Sequence, residues 1–281
     1  MPKIIVTHYN PDRDGIFCIW ILKKFDPEFQ DATIKFVSAG KTYQGKKADS
    51  NEQIVHVDTG FGRFDHHQKD EYTCAAEKVL TYVQRKFAHL KEDQALNRIV
   101  AIVKELDHAR DYTWDDAAND RYEFHFDAIM HGWKLLYPDQ HAKFVDWGLH
   151  LFDAIYKTMK QKILAEKEIE KGHQFESMYG KALAVETYND DIISVSERMG
   201  FQIVARKDPG KGYVRIKAFP DPSLDLTPVY EEVKRRDPDA TWFLHPDKHQ
   251  LLNGSTKDPQ MRASVLKVED LIEVIKNAKA K

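Results

Sequence analysis

The chain has 281 residues, of which 42% are hydrophobic and 31% charged, and a net charge of -3. There is enough apolar matter for two cores, so two domains are expected rather than one; the slight negative charge excludes a general attraction to nucleic acid, and any phosphate contact has to come from a local patch. Its two cysteines, Cys18 and Cys74, lie far from any CxxC spacing, which argues against a disulfide framework or a zinc knuckle and fits a reducing cytoplasm.

Residues 3–7 (KIIVT) form a short apolar run without a charged leader or a longer apolar segment, so no secretion signal is expected. Apolar stretches elsewhere stop short of the roughly 18 to 20 residues that a membrane span needs, and a soluble, cytoplasmic protein is the expectation. The run ends in His8, Asn10, Pro11 and Asp12, and an apolar-periodic segment starts at Asp14, which reads as strand, loop, helix. Residues 33–37 (TIKFV) and 53–57 (QIVHV) are β-branched strand candidates, each followed by a turn containing glycine. Helical patterns follow over 73–90 and 93–110. Strands alternating with helices imply an α/β fold with a parallel sheet, whose ligands sit beyond the carboxyl ends of the strands.

From 124 to 175 the periodicity is helical, broken at Pro138, and over 157–171 the charges alternate in sign as on a solvated connector. Past Gly180, short strands at 181–187, 201–207, 213–219 and 241–245 mix with helices near 228–236 and 268–279, a smaller α/β domain. The expected division is a domain over 1–135, a helical connector over 136–175 and a second domain over 176–281.

The residues that carry chemistry fall in four clusters. His8, Asp12 and Asp14, spaced His-x3-Asp-x-Asp, offer one imidazole and two carboxylates from one tight turn. Carboxylate oxygens suit hard divalent ions, and an imidazole tilts the choice toward a transition metal such as Mn2+. An Asp at the mouth of a helix also serves as its N-cap, with no metal. Asp58 directly follows the 53–57 strand, at the edge where a site would lie, although an Asp before Thr59-Gly60 also suits a plain turn.

The third cluster, Arg63-Phe64-Asp65-His66-His67-Gln68, is the most specific. Adjacent histidines beside an aspartate supply one imidazole to a metal, a second to a substrate, and a carboxylate that orients one ring through its other nitrogen. The last cluster closes the 93–110 helical pattern with Glu105-Leu106-Asp107-His108-Ala109-Arg110-Asp111. Acidic residues at a helix C-terminus oppose the macrodipole, which asks for a functional reason; Asp107 and Asp111 are four apart and share a helical face, so periodicity leaves the choice between them open.

In that order, an Asp-x-Asp, a lone Asp, an Asp-His-His and a final Asp resemble the signature of the DHH phosphoesterase superfamily, which includes RecJ-type exonucleases, oligoribonucleases and family II inorganic pyrophosphatases. FDHHQ at 64–68 and TWFLHPDKH at 241–249 look like its MYG-type branch. The resemblance implies a DHH-type, parallel-sheet N-terminal domain with two Mn2+ ions, for which Mg2+ or Co2+ can substitute. One ion would be held by His8, Asp12 and Asp58, the other by Asp14, Asp58, His66 and Asp107. Asp58 would bridge, His67 would face the substrate phosphate, and Asp65 would orient a ring. The implied activity is hydrolysis of phosphodiester bonds in short single-stranded oligonucleotides or small nucleotides. The alternatives are an inorganic pyrophosphatase, which the aromatic, mixed-charge second half fits poorly, and a non-catalytic nucleotide- or nucleic-acid-binding module, which would have lost ligands that are all present here.

The second domain is expected to close over the site and recognise the substrate. Arg206, Lys207, Lys211, Arg215 and Lys217 make a basic stretch around a Pro-Gly turn, and Lys248, Lys257 and Arg262 flank an Asn-Gly turn. Asn253, Gly254 and Ser255 stand near the place where the branch carries Gly-Gly-His-His. Tyr213, Trp242 and Phe243 can stack a base, and His245 and His249 can add contacts to metal or phosphate. A homodimer is compatible with the sequence.

Overall fold

The computed structural model describes residues 2–254 and 260–278. It divides into two compact units, Met1–Met159 and Lys160–Lys281. No helix among the described residues is long and apolar enough to cross a membrane.

The first unit is built on a parallel sheet of β1 (Ile4–His8), β2 (Thr33–Val37) and β3 (Ile54–His56), in the order β2-β1-β3. Parallel pairing sets Ile4 against both Thr33 and Ile54 and ends with His8 beside Val37, so the carboxyl ends of all three strands lie along one edge. Helix α1 (Arg13–Phe25) leaves β1 through a short loop and buries nine consecutive residues, Asp14 to Leu22. Its amphipathic signal is weak for that reason: a helix covered on all sides has no polar face to show. α2 (Ala75–Lys86) and α3 (Gln94–Asp107) bury one stripe each, Val79, Leu80 and Val83 on α2 and Leu96, Ile99, Val100 and Val103 on α3.

Asp26, fully buried at the C-terminus of α1, ties that helix to α2 by accepting from Tyr82 Oη at 3.1 Å and from Lys86 Nζ at 2.9 Å. α4 (Phe126–Leu136) and α5 (His141–Lys171) complete the helices that begin in this unit. The rings of Phe17, Trp20 and Phe152 pack with centroids 4.7 to 6.2 Å apart.

The second unit is a six-stranded mixed sheet in the order β4-β5-β6-β7-β9-β8. Its strands are β4 (His173–Ser177), β5 (Gly180–Glu186), β6 (Ile203–Lys207), β7 (Val214–Ala218), β8 (Trp242–Leu244) and β9 (Gln250–Asn253). Only β5 and β6 are parallel neighbours. Side chains alternate across a pleated sheet. Ala182, Ala184, Ile203 and Ala205 therefore meet α7 (Thr227–Arg236) and α8 (Val268–Asn277) through Val229, Val233, Leu271 and Ile275. Leu183, Val185 and Val204 point to the opposite face, onto α6 (Ile192–Arg198) and onto Ala165 and Ile169 of α5.

The α/β architecture expected from the sequence is the one observed. Several bounds differ, each for a local reason. α3 stops at Asp107 rather than at 110, because Ala109 takes a left-handed φ of 52°. The helical pattern that seemed to run to 175 gives way at residue 173 to an edge strand, β4, whose hairpin with β5 turns at Gly180 with φ 97°. β9 lies where an Asn-Gly turn was expected to begin: Asn253 is still in the ladder, paired with Val214 and Trp242. The stretch 157–171 is not wholly solvated, since Ile163, Ala165 and Ile169 are buried.

Gly148, inside α5, faces α1, and a Cβ there would lie 2.8 Å from Cγ2 of the fully buried Ile16. Gly to Ala in a helix interior ordinarily stabilises by up to about 1 kcal/mol, but overpacking a filled core costs about 1 to 3 kcal/mol. Gly148→Ala is therefore expected to lower the midpoint of denaturant unfolding; an unchanged or raised midpoint would show that Ile16 gives way freely.

Candidate metal centre

The ends of β1 and β3 each contribute a group because the backbone turns sharply just after them. His8 is the last residue of β1, and its Nδ1 donates to the carbonyl of Tyr9 at 2.8 Å. Its Nε2 lies 3.3 Å from Asp58 Oδ2. Asp58 follows β3 in a left-handed conformation, φ 51°, which Asp tolerates better than most residues. Its N–H donates to the carbonyl of Phe64, and this brings the Asp65-His66-His67 loop up beside it.

Close approach is also needed from α1. A Cβ on Gly15 would meet Asp58 Oδ2 at 3.3 Å and Thr7 Oγ1 at 3.1 Å, tighter than most side-chain contacts, so glycine there eases the close approach of the helix to the carboxylate. Asp12 caps α1, its Oδ1 accepting from the N–H groups of Asp14 and Gly15 at 2.9 and 3.1 Å. The N-cap role is compatible with a ligand role, because one oxygen caps while the carboxylate as a whole stays grouped with His8 and Asp58.

Asp14 has no exposed surface. It accepts from the N–H groups of Ala75 and Ala76, both at 2.7 Å, at the N-terminus of α2, where unpaired donors and the helix dipole favour an anion. Those bonds do not offset everything acting on it: burial, then the charges of Asp58, Asp12 and Asp107, hold its pKa well above the usual carboxylate range. Burial and then Asp12 and Asp107 raise Asp58 in the same way. Asp107 at the end of α3 is pushed up to about 6 by burial and then by Asp12, against the pull of Arg13.

His66 lies where these carboxylates meet. Its Nε2 is 3.5 Å from Asp107 Oδ2, 3.6 Å from Asp58 Oδ1 and 3.8 Å from Asp14 Oδ2. Burial, reinforced by His67, lowers its pKa, which leaves an uncharged ring with a free lone pair. Asp58 Oδ1, His66 Nε2 and Asp107 Oδ2 are all buried and have no hydrogen-bond partner. Buried polar atoms are almost always satisfied. Three orphans from three separate elements, all facing one point, are what a bound cation would satisfy. The donor set fits: oxygens and imidazole nitrogens are the ligands of Mn2+ and of related divalent ions.

The described residues can hold a metal in three overlapping groups, His8-Asp12-Asp58, Asp14-His66-Asp107 and Asp58-His66-His67. His67 is the least suited as a ligand through its near nitrogen. Its Nδ1 is 2.7 Å from Asp65 Oδ1, against 3.9 Å from Asp58. Asp65 is itself fixed by the N–H groups of Phe61 at 2.7 Å and His67 at 3.1 Å. Burial acts to raise the Asp65 pKa, but these bonds and the His67 ring outweigh it and the pKa falls below normal. The His67 side chain is 55% exposed.

At the fourth cluster, Asp107 is the residue grouped with Asp14 and His66. Because the helix stops at Asp107, Asp111 no longer shares its face and lies instead in a 3-10 turn, Arg110–Thr113. One residue that the sequence clusters contained without a role is Arg13. Its guanidinium donates to the carbonyl of Leu106 and pairs with Asp127 at 3.2 Å, which anchors the end of α3 beside α1. No spacing signal in the sequence links Asp127 to it.

In the second unit, Arg206 is buried and paired with Asp190 at 2.8 Å and Asp208 at 3.5 Å. Arg215 is more open, 3.7 Å from the same Asp190, and Lys248 pairs with Asp225 at 2.8 Å. Asn253 is a strut: its Nδ2 donates to the carbonyls of Thr241 and Arg262, and its Oδ1 accepts from Ser264 N. Gly254 packs against the Tyr213 ring, and Ser255 lies outside the described residues. Trp242 is core and Phe243 is exposed. His245 Nδ1 is 2.9 Å from Asp247, and His249 Nε2 donates to the carbonyl of Asp221.

No family model and no curated protein matches this chain. Among solved structures it is similar to a DHH domain from a member of a family of ribosomal proteins, at 11% identity and a TM-score of 0.33, over 99% of this chain and 87% of that one.

A carboxyl whose pKa is raised by folding contributes stability that is complete below its unfolded value and is lost as pH rises through its folded value. For Asp107 that window runs from 3.8 to about 6, and Asp14 and Asp58 act in the same direction. Metal-free protein should therefore melt at progressively lower temperature as pH rises across that window. Mn2+ should raise the melting temperature more at pH 7.5 than at pH 5, and a cation effect independent of pH would contradict the charge cluster. In the same assay, Asp58→Asn should melt higher than wild type without metal at pH 7.5, because it removes one of the mutually repelling charges, and should respond less to Mn2+.

Proposed function

We propose that this centre hydrolyses phosphodiester bonds in short oligonucleotides or small nucleotides, using two divalent cations, Mn2+ foremost. The observation that carries the reading is the convergence of Asp58 Oδ1, His66 Nε2 and Asp107 Oδ2, all buried and unpartnered, at the carboxyl edge of a parallel sheet. The resemblance of the same residues to the DHH signature supports it. His8, Asp12 and Asp58 would hold one ion, and Asp14, Asp58, His66 and Asp107 the other. Bound there, a pair of such ions makes water acidic enough to act as hydroxide near neutral pH and neutralises charge on phosphoryl oxygens.

The chain's own groups do the rest. With its Nδ1 held by Asp65, the His67 ring is fixed in orientation and presents Nε2 to solvent. In its protonated form, Nε2–H can donate to a phosphoryl oxygen or to the leaving oxygen. Asp65 positions that ring. Arg13 is committed to Leu106 and Asp127 and so acts as a strut for Asp107 rather than as a phosphate clamp. Of Arg206, Arg215 and Lys248 in the second unit, Arg215 is the most loosely paired, which makes it the best of the three to hold a phosphate.

The test is a panel of short oligonucleotides, cyclic dinucleotides and pyrophosphate incubated with Mn2+. Wild type should cleave phosphodiesters, and Asp58→Ala should not. His67→Ala, at an exposed position, should keep its fold and lose on the order of 100-fold in kcat. Cleavage of pyrophosphate alone would replace this reading with a pyrophosphatase. Equal inertness of wild type and Asp58→Ala on all substrates would leave only a binding module.

A further inference from the structure

Between α3 and α4 the first unit holds a cavity of about 560 Å³ that the four clusters do not fill, lined by Leu106, Asp111, Trp114, Tyr122, Phe124 and His125 among others. Three of its rings form a compact group. Trp114 and Tyr122 have centroids 5.8 Å apart, Trp114 and His125 5.9 Å, and Tyr122 and His125 4.9 Å at 83°. The polar tips of two rings are tied down within the chain: Trp114 Nε1 donates to Glu105 Oε1 at 3.0 Å, and Tyr122 Oη donates to the carbonyl of Asp115 at 2.7 Å. Their faces are thus held in place before any ligand arrives.

Two large rings at this cavity are left in water, Phe124 at 83% and Tyr112 at 79% exposure. Exposed apolar area clustered around a concave, preformed space is a mark of a ligand site. The polar lining selects among ligands. Asp111 and Glu123 also line the cavity, and among the described residues neither side chain has a hydrogen bond or ion pair. Carboxylates repel phosphate and accept from N–H donors. The space suits a flat, uncharged ring that carries amino groups, with any phosphate kept outside it.

The cavity also adjoins the metal centre. Leu106, in its wall, precedes the ligand Asp107, and Asp127, also in its wall, is bonded to Arg13, which lies between Asp12 and Asp14. We infer that this cavity receives a nucleobase of the substrate, a purine stacked among Trp114, Tyr122 and Phe124 with its amino edge toward Asp111 and Glu123. Guanine is the best fit, since its N1–H and 2-amino group present two adjacent donors to one carboxylate. The inference rests on the phosphodiesterase reading and narrows its substrate class.

The experiment measures binding by calorimetry, apart from turnover, with GMP, UMP and ribose 5-phosphate as probes on the full chain with Mn2+. Wild type should bind GMP more tightly than ribose 5-phosphate by about tenfold or more, the scale of one base stacked on an aromatic ring. UMP should fall between them. Phe124→Ala should bring the GMP to ribose 5-phosphate ratio close to one; its ring is almost wholly exposed, so its melting temperature serves as a check that the fold is kept. Asp111→Asn with Glu123→Gln should erase the preference for GMP over UMP. A wild type that binds GMP and ribose 5-phosphate equally, or binds neither, overturns the inference, as does a preference that survives Phe124→Ala. Base-dependent binding without cleavage of any phosphodiester would keep the cavity and remove the hydrolytic reading; cleavage without base preference would do the reverse.

Discussion

Asp14, Asp58 and Asp107 repel one another from positions around a single uncharged imidazole, in surroundings too dry to screen them. Most of the first unit can be read as scaffolding for that arrangement. The N-terminus of α2 holds Asp14 with two N–H groups, Gly15 lets α1 come close to Asp58, and Arg13 fastens the last turn of α3 next to both. The parallel sheet supplies the register that brings residue 8 and residue 58 to the same edge. A fold seldom keeps unneutralised acids together in its interior unless a ligand of opposite charge is part of its working state.

Much of this was legible in the sequence because it is local. The strands at 33–37 and 54–56 and the start of α1 follow from β-branched runs, turn residues and an Asp cap, all of which act over a few positions. The grouping of acidic and imidazole side chains was legible for a related reason: each cluster sits directly after an element, where a short run of residues carries its own chemical meaning. What stayed hidden was the non-local part. Whether Asp107 or Asp111 faces inward depends on where α3 stops, and that depends on one left-handed residue, Ala109. Arg13 finds Asp127 more than a hundred positions away, and no periodicity announces it.

The second unit was harder to read for the same physical reason. Asn253 looked like a turn residue beside a basic patch, yet its amide closes three backbone positions inside the sheet. The aromatic residues singled out there divide between core and surface, with Trp242 buried and Phe243 exposed. The rings that do frame a concave space lie in the irregular segment before α4, where no strand or helix pattern drew attention to them.

The grip of Ala75 and Ala76 on Asp14 makes the opening turn of α2 part of the centre's construction. A nascent chain cannot chelate with its first fourteen residues alone. It must first make and dock a helix some sixty residues downstream, and then the end of α3 still further on. A cation held there would therefore require a first unit that is already assembled.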